Sequence, residues 1–119
     1  MRTVYGIGFL SDRFLMVYNP SRKGWEMPGG HIENDETDEE AVKREFLEES
    51  GFSFTPIAKK ERGTVSVFAG TVEKTPFRGE MEWQFFKKLP LDLAFPEEEY
   101  EEMIAWGRRV CGSRTIRLI

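Results

Sequence analysis

The sequence predicts an α/β (α+β) fold in which a mixed β-sheet is covered by helices. Three observations carry this expectation. Apolar and β-prone segments recur between turn-forming residues. A capped helix is expected from Asp38 to Ser50. A second helix should follow Pro96. The order strand, strand, helix, several strands, helix fits one sheet with helices packed on it. The 119 residues suit a single domain over 1–119, with no repeat or low-complexity linker to divide it.

Residues 3–10 and 13–18 read as strands, with Ser11-Asp12 as the tight turn between them. Asn19 to Gly24 has the chemistry of a loop. Pro28-Gly29-Gly30 breaks the chain again, and a short strand is expected around His31-Ile32-Glu33. Thr37 and Glu40 form a capping-box pattern, Glu39 and Glu40 favour the positive end of the helix dipole, and Gly51 is the expected stop. Residues 53–60, 63–74 and 80–88 read as further strands. The second helix is expected over about 97–110, with Tyr100, Met103, Ile104 and Trp106 on its buried face. Residues 114–119 are expected to pair as an edge strand.

Apolar residues make up 39% of the chain and aromatics 13%, enough for one core. The net charge of −4 argues against a general nucleic-acid binder, which needs a basic surface to release counterions. It does not argue against a small phosphorylated substrate, since a metal ion can supply positive charge. Cys111 is the only cysteine, so neither an intramolecular disulfide nor a thiolate zinc site is expected. No apolar run is long enough for a bilayer and no secretory leader is evident, so the expectation is a cytoplasmic protein without membrane contact.

The first helix holds the informative chemistry. With Glu45 at zero degrees, Glu49 falls near 40° and Glu48 near 300°, so three carboxylates share an arc of about 100°. Val42 and Phe46 fall beside Glu49, so this arc abuts the apolar face. Such crowding costs free energy without a counter-charge. A hard divalent cation such as Mg²⁺ removes the difficulty, because it takes oxygen ligands. A solvated glutamate face is the plainer explanation of three glutamates alone. The Pro28-Gly29-Gly30 turn before the helix and the availability of Glu36 to pair with Arg44 favour the metal.

The order of residue types is also specific. Gly30 is followed after five residues by Glu36, then after seven by Arg44-Glu45-Phe46, then by Glu48-Glu49 and Gly51-Phe52. This stretch resembles the Nudix box at every specified position, and Trp25 to Gly30 resembles its usual lead-in. The resemblance implies an α/β/α sandwich and an enzyme that hydrolyses a nucleoside diphosphate linked to another group. It implies Mg²⁺, with Mn²⁺ as a substitute. Glu45, Glu48, Glu49 and a carbonyl of Gly29 or Gly30 become the candidate metal ligands. Arg44 would orient the glutamates, and Glu36 would brace Arg44. The family often adds a glutamate beyond the box, for which Glu80 and Glu82 are the candidates, Glu80 being preferred. Water would attack phosphorus, with Glu45 or Glu80 as general base. The substrate is expected to be a small nucleotide, and a homodimer is left open.

Residues outside the box bear on the substrate. Arg22 and Lys23 are candidate phosphate contacts, and Trp25 and Glu82 are further candidate substrate contacts. Trp25, Trp83, Phe77 and Tyr5 are candidate stacking platforms, although core packing is the commoner use of such aromatics. His31 is expected to hold no role, and Cys111 to be an apolar filler. The acidic run 97–102 is expected to be a solvated helix face. The region 65–70 lacks both the proline that marks ADP-ribose-cleaving relatives and the tyrosine that marks dinucleoside-polyphosphate cleavers. That tilts the expectation towards hydrolysis of a (deoxy)nucleoside triphosphate to monophosphate and pyrophosphate. Nucleotide sugars or ADP-ribose are the alternative substrates, and a non-catalytic nucleotide-sensing module is the alternative of a different class.

Overall fold

A computed structural model describes residues 2–116. Its elements, in chain order, are β1 (Thr3–Leu10), β2 (Arg13–Asn19), β3 (Gly24–Glu26), β4 (Gly29–His31), α1 (Asp38–Ser50), β5 (Phe52–Arg62), β6 (Val65–Lys74), β7 (Glu82–Phe86) and α2 (Glu97–Ile116). The seven strands form one mixed sheet. β1 runs parallel to β6, and the other named strand pairs are antiparallel. β1 and β2 pair only next to their turn, at Phe9 with Phe14 and Leu10 with Arg13. Beyond it they separate, and β4 pairs with β1 while β3 pairs with β2. That separation brings Gly29 and Gly30 into the middle of the sheet, opposite Tyr5 and Val4.

Strand alternation divides the core in two. Val4, Leu15, Val17, Phe54, Phe68 and Val72 face α1 and pack on Val42 and Phe46. Ile7, Phe9, Phe14, Met16, Val67 and Ala69 face α2 and pack on Tyr100, Met103, Ile104 and Trp106. The result is the expected α/β/α layering. Gly8 permits α1 to sit close, because a Cβ there would collide with Phe46 and Val72. Phe46 fills the space so left and stacks on Phe54 with ring centroids 4.7 Å apart.

The expected ends of α1 are present. Thr37 Oγ1 accepts from the Glu40 N–H at 3.1 Å, and Glu40 Oε1 accepts from the Thr37 N–H at 2.9 Å. Gly51 closes the helix in the left-handed region, with φ 80°.

Several elements differ from expectation: β2 runs on to Asn19, β5 covers Phe52–Arg62 and β6 starts only at Val65. The short strand begins at Gly29 rather than His31, since both glycines join the ladder with β1. β3 was not expected at all, because three residues are too few to show a period of two. The strand expected over 80–88 is shorter: β7 covers only Glu82–Phe86, so Glu80 lies outside it and does not share a strand face with Glu82. Finally, α2 continues to Ile116, so residues 114–116 are helical and form no edge strand, while 117–119 lie outside the described residues. Cys111, fully buried, extends the apolar spacing past Trp106 and ties the longer helix to the sheet.

Candidate active site

The second half of α1 lies across Gly29 and Gly30 at the start of β4. The Gly29 N–H donates to Glu49 Oε1 at 3.2 Å. A Cβ on Gly30 would run into the Glu45 carboxylate, and one on Gly29 would strike the Val4 carbonyl and Tyr5. These glycines are required by close approach, since neither has a positive φ.

Arg44 holds the box together. Its Nε donates to Glu36 Oε2 at 2.6 Å and its Nη2 to Glu36 Oε1 at 3.1 Å, a two-pronged pair. Nη2 also donates to the His31 carbonyl at 3.2 Å, which ties helix to turn. Nη1 faces Glu48 at 3.3 Å and Glu45 at 3.4 Å. The Arg44 hydrogen bond holds the Glu36 carboxyl below the usual range, with help from the Glu33 N–H. The same bond, with the glutamates around it, raises the guanidinium pKa above its ordinary value.

The three arc glutamates have different surroundings. Glu48 is 45% exposed and rests against Arg44. Burial raises the Glu45 pKa, the adjacent Arg44 opposing and Glu48 adding to the effect. Glu49 is pushed furthest, to about 8, first by burial and then by repulsion from Glu45, Glu26 and Glu80, against the Gly29 N–H. The segment carrying Glu80 crosses the end of α1. The Glu80 N–H donates to the Glu48 carbonyl at 2.8 Å and the Met81 N–H to the Glu49 carbonyl at 2.9 Å. Gly79 makes this possible, since a Cβ would meet the Glu49 carbonyl.

Among the described residues, no three His, Cys, Asp or Glu side chains form a ready-made ligand cluster. The donor set is nonetheless of the kind a hard divalent ion takes. It is all oxygen, and the neighbouring side-chain charges that act most on Glu49 are negative. A cation beside Glu45 and Glu49 would relieve both their desolvation and their mutual repulsion.

A cavity of about 460 Å³ begins at Gly29 and Gly30 and reaches Tyr5, Arg22, Glu26, Phe95, Glu99 and Tyr100. Of the four residues expected to contact substrate, Arg22 lines it, and its Nη1 donates to buried Glu26 at 2.9 Å. Lys23 is exposed and does not line it. The Trp25 ring is held by Tyr18 and Phe86 at centroid distances of 5.3 and 5.1 Å, away from the cavity. Glu82 is exposed on β7 opposite Tyr18 and lines a separate hollow with Arg78, Glu80 and Trp83. Phe77 and Trp83 are also largely exposed, whereas Tyr5 lies on the cavity wall. Sequence reasoning missed Glu26, Phe95, Glu99 and Tyr100. The unusual signal for Glu26 was a carboxylate between Trp25 and Met27 in a short buried strand.

A sheet between two helices, with a glutamate helix braced over a glycine turn, defines a Nudix-type protein. A family model described as the NUDIX domain matches residues 2–106, and the chain belongs to that family. Over 49 residues it is 39% identical to a protein of Bacillus subtilis (strain 168) provisionally named 8-oxo-dGTP diphosphatase, covering 41% of this chain and 33% of that one. The chain thus spans a third of that relative's length. A crystal structure of a UDP-X diphosphatase superposes with TM-score 0.71 at 20% identity, over 91% of this chain and 64% of the other. A MutT NUDIX hydrolase from Burkholderia pseudomallei does so with TM-score 0.66 at 22% identity, over 84% and 94%. These two likenesses concern the fold.

Proposed function

We propose that this chain hydrolyses a diphosphate bond in a nucleoside diphosphate derivative, with Mg²⁺, and that its substrate is a (deoxy)nucleoside triphosphate cleaved to monophosphate and pyrophosphate. The catalytic unit is one domain over residues 1–119, acting in the cytoplasm. The observation that carries the reading is the desolvated Glu45–Glu49 pair set directly on Gly29 and Gly30 of β4. Family membership and the name of the Bacillus relative support it.

In this reading Glu45, Glu48, Glu49 and a Gly29 or Gly30 carbonyl hold the ion. When bound, Mg²⁺ polarises the phosphoryl oxygens and neutralises charge that develops on them. Arg44 fixes the glutamates, and Glu36 fixes Arg44. The side-chain-free backbone at Gly29 and Gly30 would let phosphate approach closely. In this reading Glu45 or Glu80 takes the proton of the attacking water. Glu80 is exposed and keeps its position through backbone bonds, so Glu80→Gln tests its role without disturbing α1. A loss of the acidic limb of the pH–rate profile in that variant assigns the base to Glu80, and an unchanged limb assigns it to Glu45.

The test is a panel of nucleoside triphosphates, nucleotide sugars and ADP-ribose with Mg²⁺ or Mn²⁺, reading released pyrophosphate or phosphate. Triphosphates should turn over best, and Glu49→Gln should lower turnover at least a hundredfold, on the order of a lost charge-stabilising group. Retention of activity within a few-fold of the parent would overturn the metal assignment. Tight nucleotide binding with no metal-dependent release would favour a sensing module.

A further inference from the structure

The outer strands of the sheet are finished in different ways. A strand at a sheet edge presents unpaired N–H and C=O groups, which soluble chains ordinarily cover or blunt. β3 is covered. The Trp25 N–H donates to the Asp92 carbonyl at 2.6 Å, and the Trp25 carbonyl accepts from the Ala94 N–H at 2.9 Å. β5 is blunted. Pro56 lies within it, its register with β6 slips between Pro56 and Ala58, and Lys59 and Lys60 follow.

β7 has neither protection. It pairs with β2 in unbroken register from Phe14 with Phe86 to Tyr18 with Glu82. Val17 and Tyr18 also pair with β3, so β7 lies on the other side of β2 and forms an edge. Among the described residues, no backbone group of 82–86 bonds to any segment but β2. No proline or lysine interrupts Glu82–Phe86. Glu82 and Gln84 are exposed, and Trp83 is 42% exposed. The Trp83 ring is nonetheless fixed in place, edge to face on Phe52 at 4.8 Å and on Phe85 at 5.9 Å. An aromatic ring held in this way loses little freedom when a second surface covers it.

We propose that β7 is the interface of a homodimer in which two copies of this chain pair their β7 strands antiparallel about a twofold axis. The charges of the segment select a second copy as the occupant. Under such an axis opposite residues share a face of the sheet, so the pairing centres on a residue. With Phe85 at the centre, Glu82 of each copy faces Lys88 of the other, Trp83 faces the stem and ammonium of Lys87, and the two Phe85 rings meet. Glu82 and Lys88 are exposed and have no ion-pair partner among the described residues. Lys87 is held only by an exposed contact with Asp12 at 3.6 Å. Moving the register by two residues sets Glu82 against Phe86 or Pro90 and loses both charge pairs. The two seven-stranded sheets would then run on as one. No part of the catalytic reading enters this inference.

The test is sedimentation velocity of the full chain over a range from about 5 to 500 µM, where an interface of this small size should associate. The parent should pass from the 13.9 kDa of one chain to twice that mass as concentration rises. Hydrogen exchange at the amides of 82–86 should slow over the same range. Glu82→Lys and Lys88→Glu alter exposed groups, so both variants should fold. Each sets like charges opposite one another at both ends of the pairing, and each should weaken association about tenfold or more. Mixed in equal amounts, the two variants should recover the parental affinity, because every opposite pair is again of unlike charge. The proposal fails if the parent keeps the mass of one chain at the highest concentration, in which case the open edge belongs to a strand of another protein. It also fails if the parent dimerises and neither variant shifts the equilibrium, or if the mixture associates no better than its components.

Discussion

Glu49→Gln removes one charge from the site while preserving its shape. The amide oxygen still accepts from the Gly29 N–H, now 3.2 Å from Glu49 Oε1. In the parent, burial and then repulsion from Glu45, Glu26 and Glu80 push the Glu49 carboxyl from 4.5 to about 8. An acid whose folded pKa is raised stabilises the fold below its ordinary value, and that stability is lost as pH rises through the folded value. Metal-free parent should therefore weaken progressively between about pH 4.5 and 8. The displacement corresponds to at most about 5 kcal/mol, and the solvent that still reaches Glu49 reduces the expected effect to about 2–3 kcal/mol. For a chain of this size that is roughly 6–15 °C in melting temperature.

The assay is calorimetric melting of parent and Glu49→Gln at pH 5, 6.5 and 8, in chelator and then in Mg²⁺. In chelator the variant should melt above the parent at pH 8, with the gap narrowing towards pH 5. Added Mg²⁺ should stabilise the parent more than the variant and close the gap. A variant no more stable than the parent at pH 8 without metal would refute the claim that Glu49 is a strained, desolvated charge. A gap that does not change with pH would refute its electrostatic origin.

Three further outcomes follow from the same geometry. Asp38 accepts from buried Ser66 Oγ at 2.6 Å and from Arg2 at 2.9 Å, and the Ser66 bond above all holds its carboxyl below the usual range. Its contribution is present above the ordinary carboxylate value and lost as pH falls through the lowered one, so Asp38→Asn should cost about 1 kcal/mol at pH 7 in urea unfolding, and the difference should close in acid. Gly30→Ala puts a methyl into the Glu45 carboxylate. It should lower kcat about tenfold or more with a small change in melting temperature, because the flexible end of Glu45 can swing aside. Arg44→Lys keeps the charge but loses the two-pronged bond to Glu36, and steady-state kinetics should show a fall in kcat of about tenfold.

What could be read in the sequence, and what could not, follows the range of the interactions. The capping box at Thr37–Glu40, the stop at Gly51 and the Arg44–Glu36 pair involve residues within eight positions of one another, and regular helix geometry relates them. Local pattern was enough for these. The arc of three glutamates was legible as directions, yet their surroundings were not. Glu48 differs from Glu49 in burial because Arg44 draws one outward while the Gly29 N–H holds the other inward. The cavity beside Gly29 and Gly30 joins Tyr5, Glu26 and Glu99, which lie on β1, β3 and α2, and no spacing in the chain relates them. Only the sheet register does so, through a three-residue strand too short to announce itself. The same distinction separates the chemistry from the cavity in this molecule. The chemistry proposed sits on one helix and the start of one strand, whereas the cavity walls come from elements that meet only after the sheet has formed. Substitutions in the box should therefore change rate for every nucleotide alike.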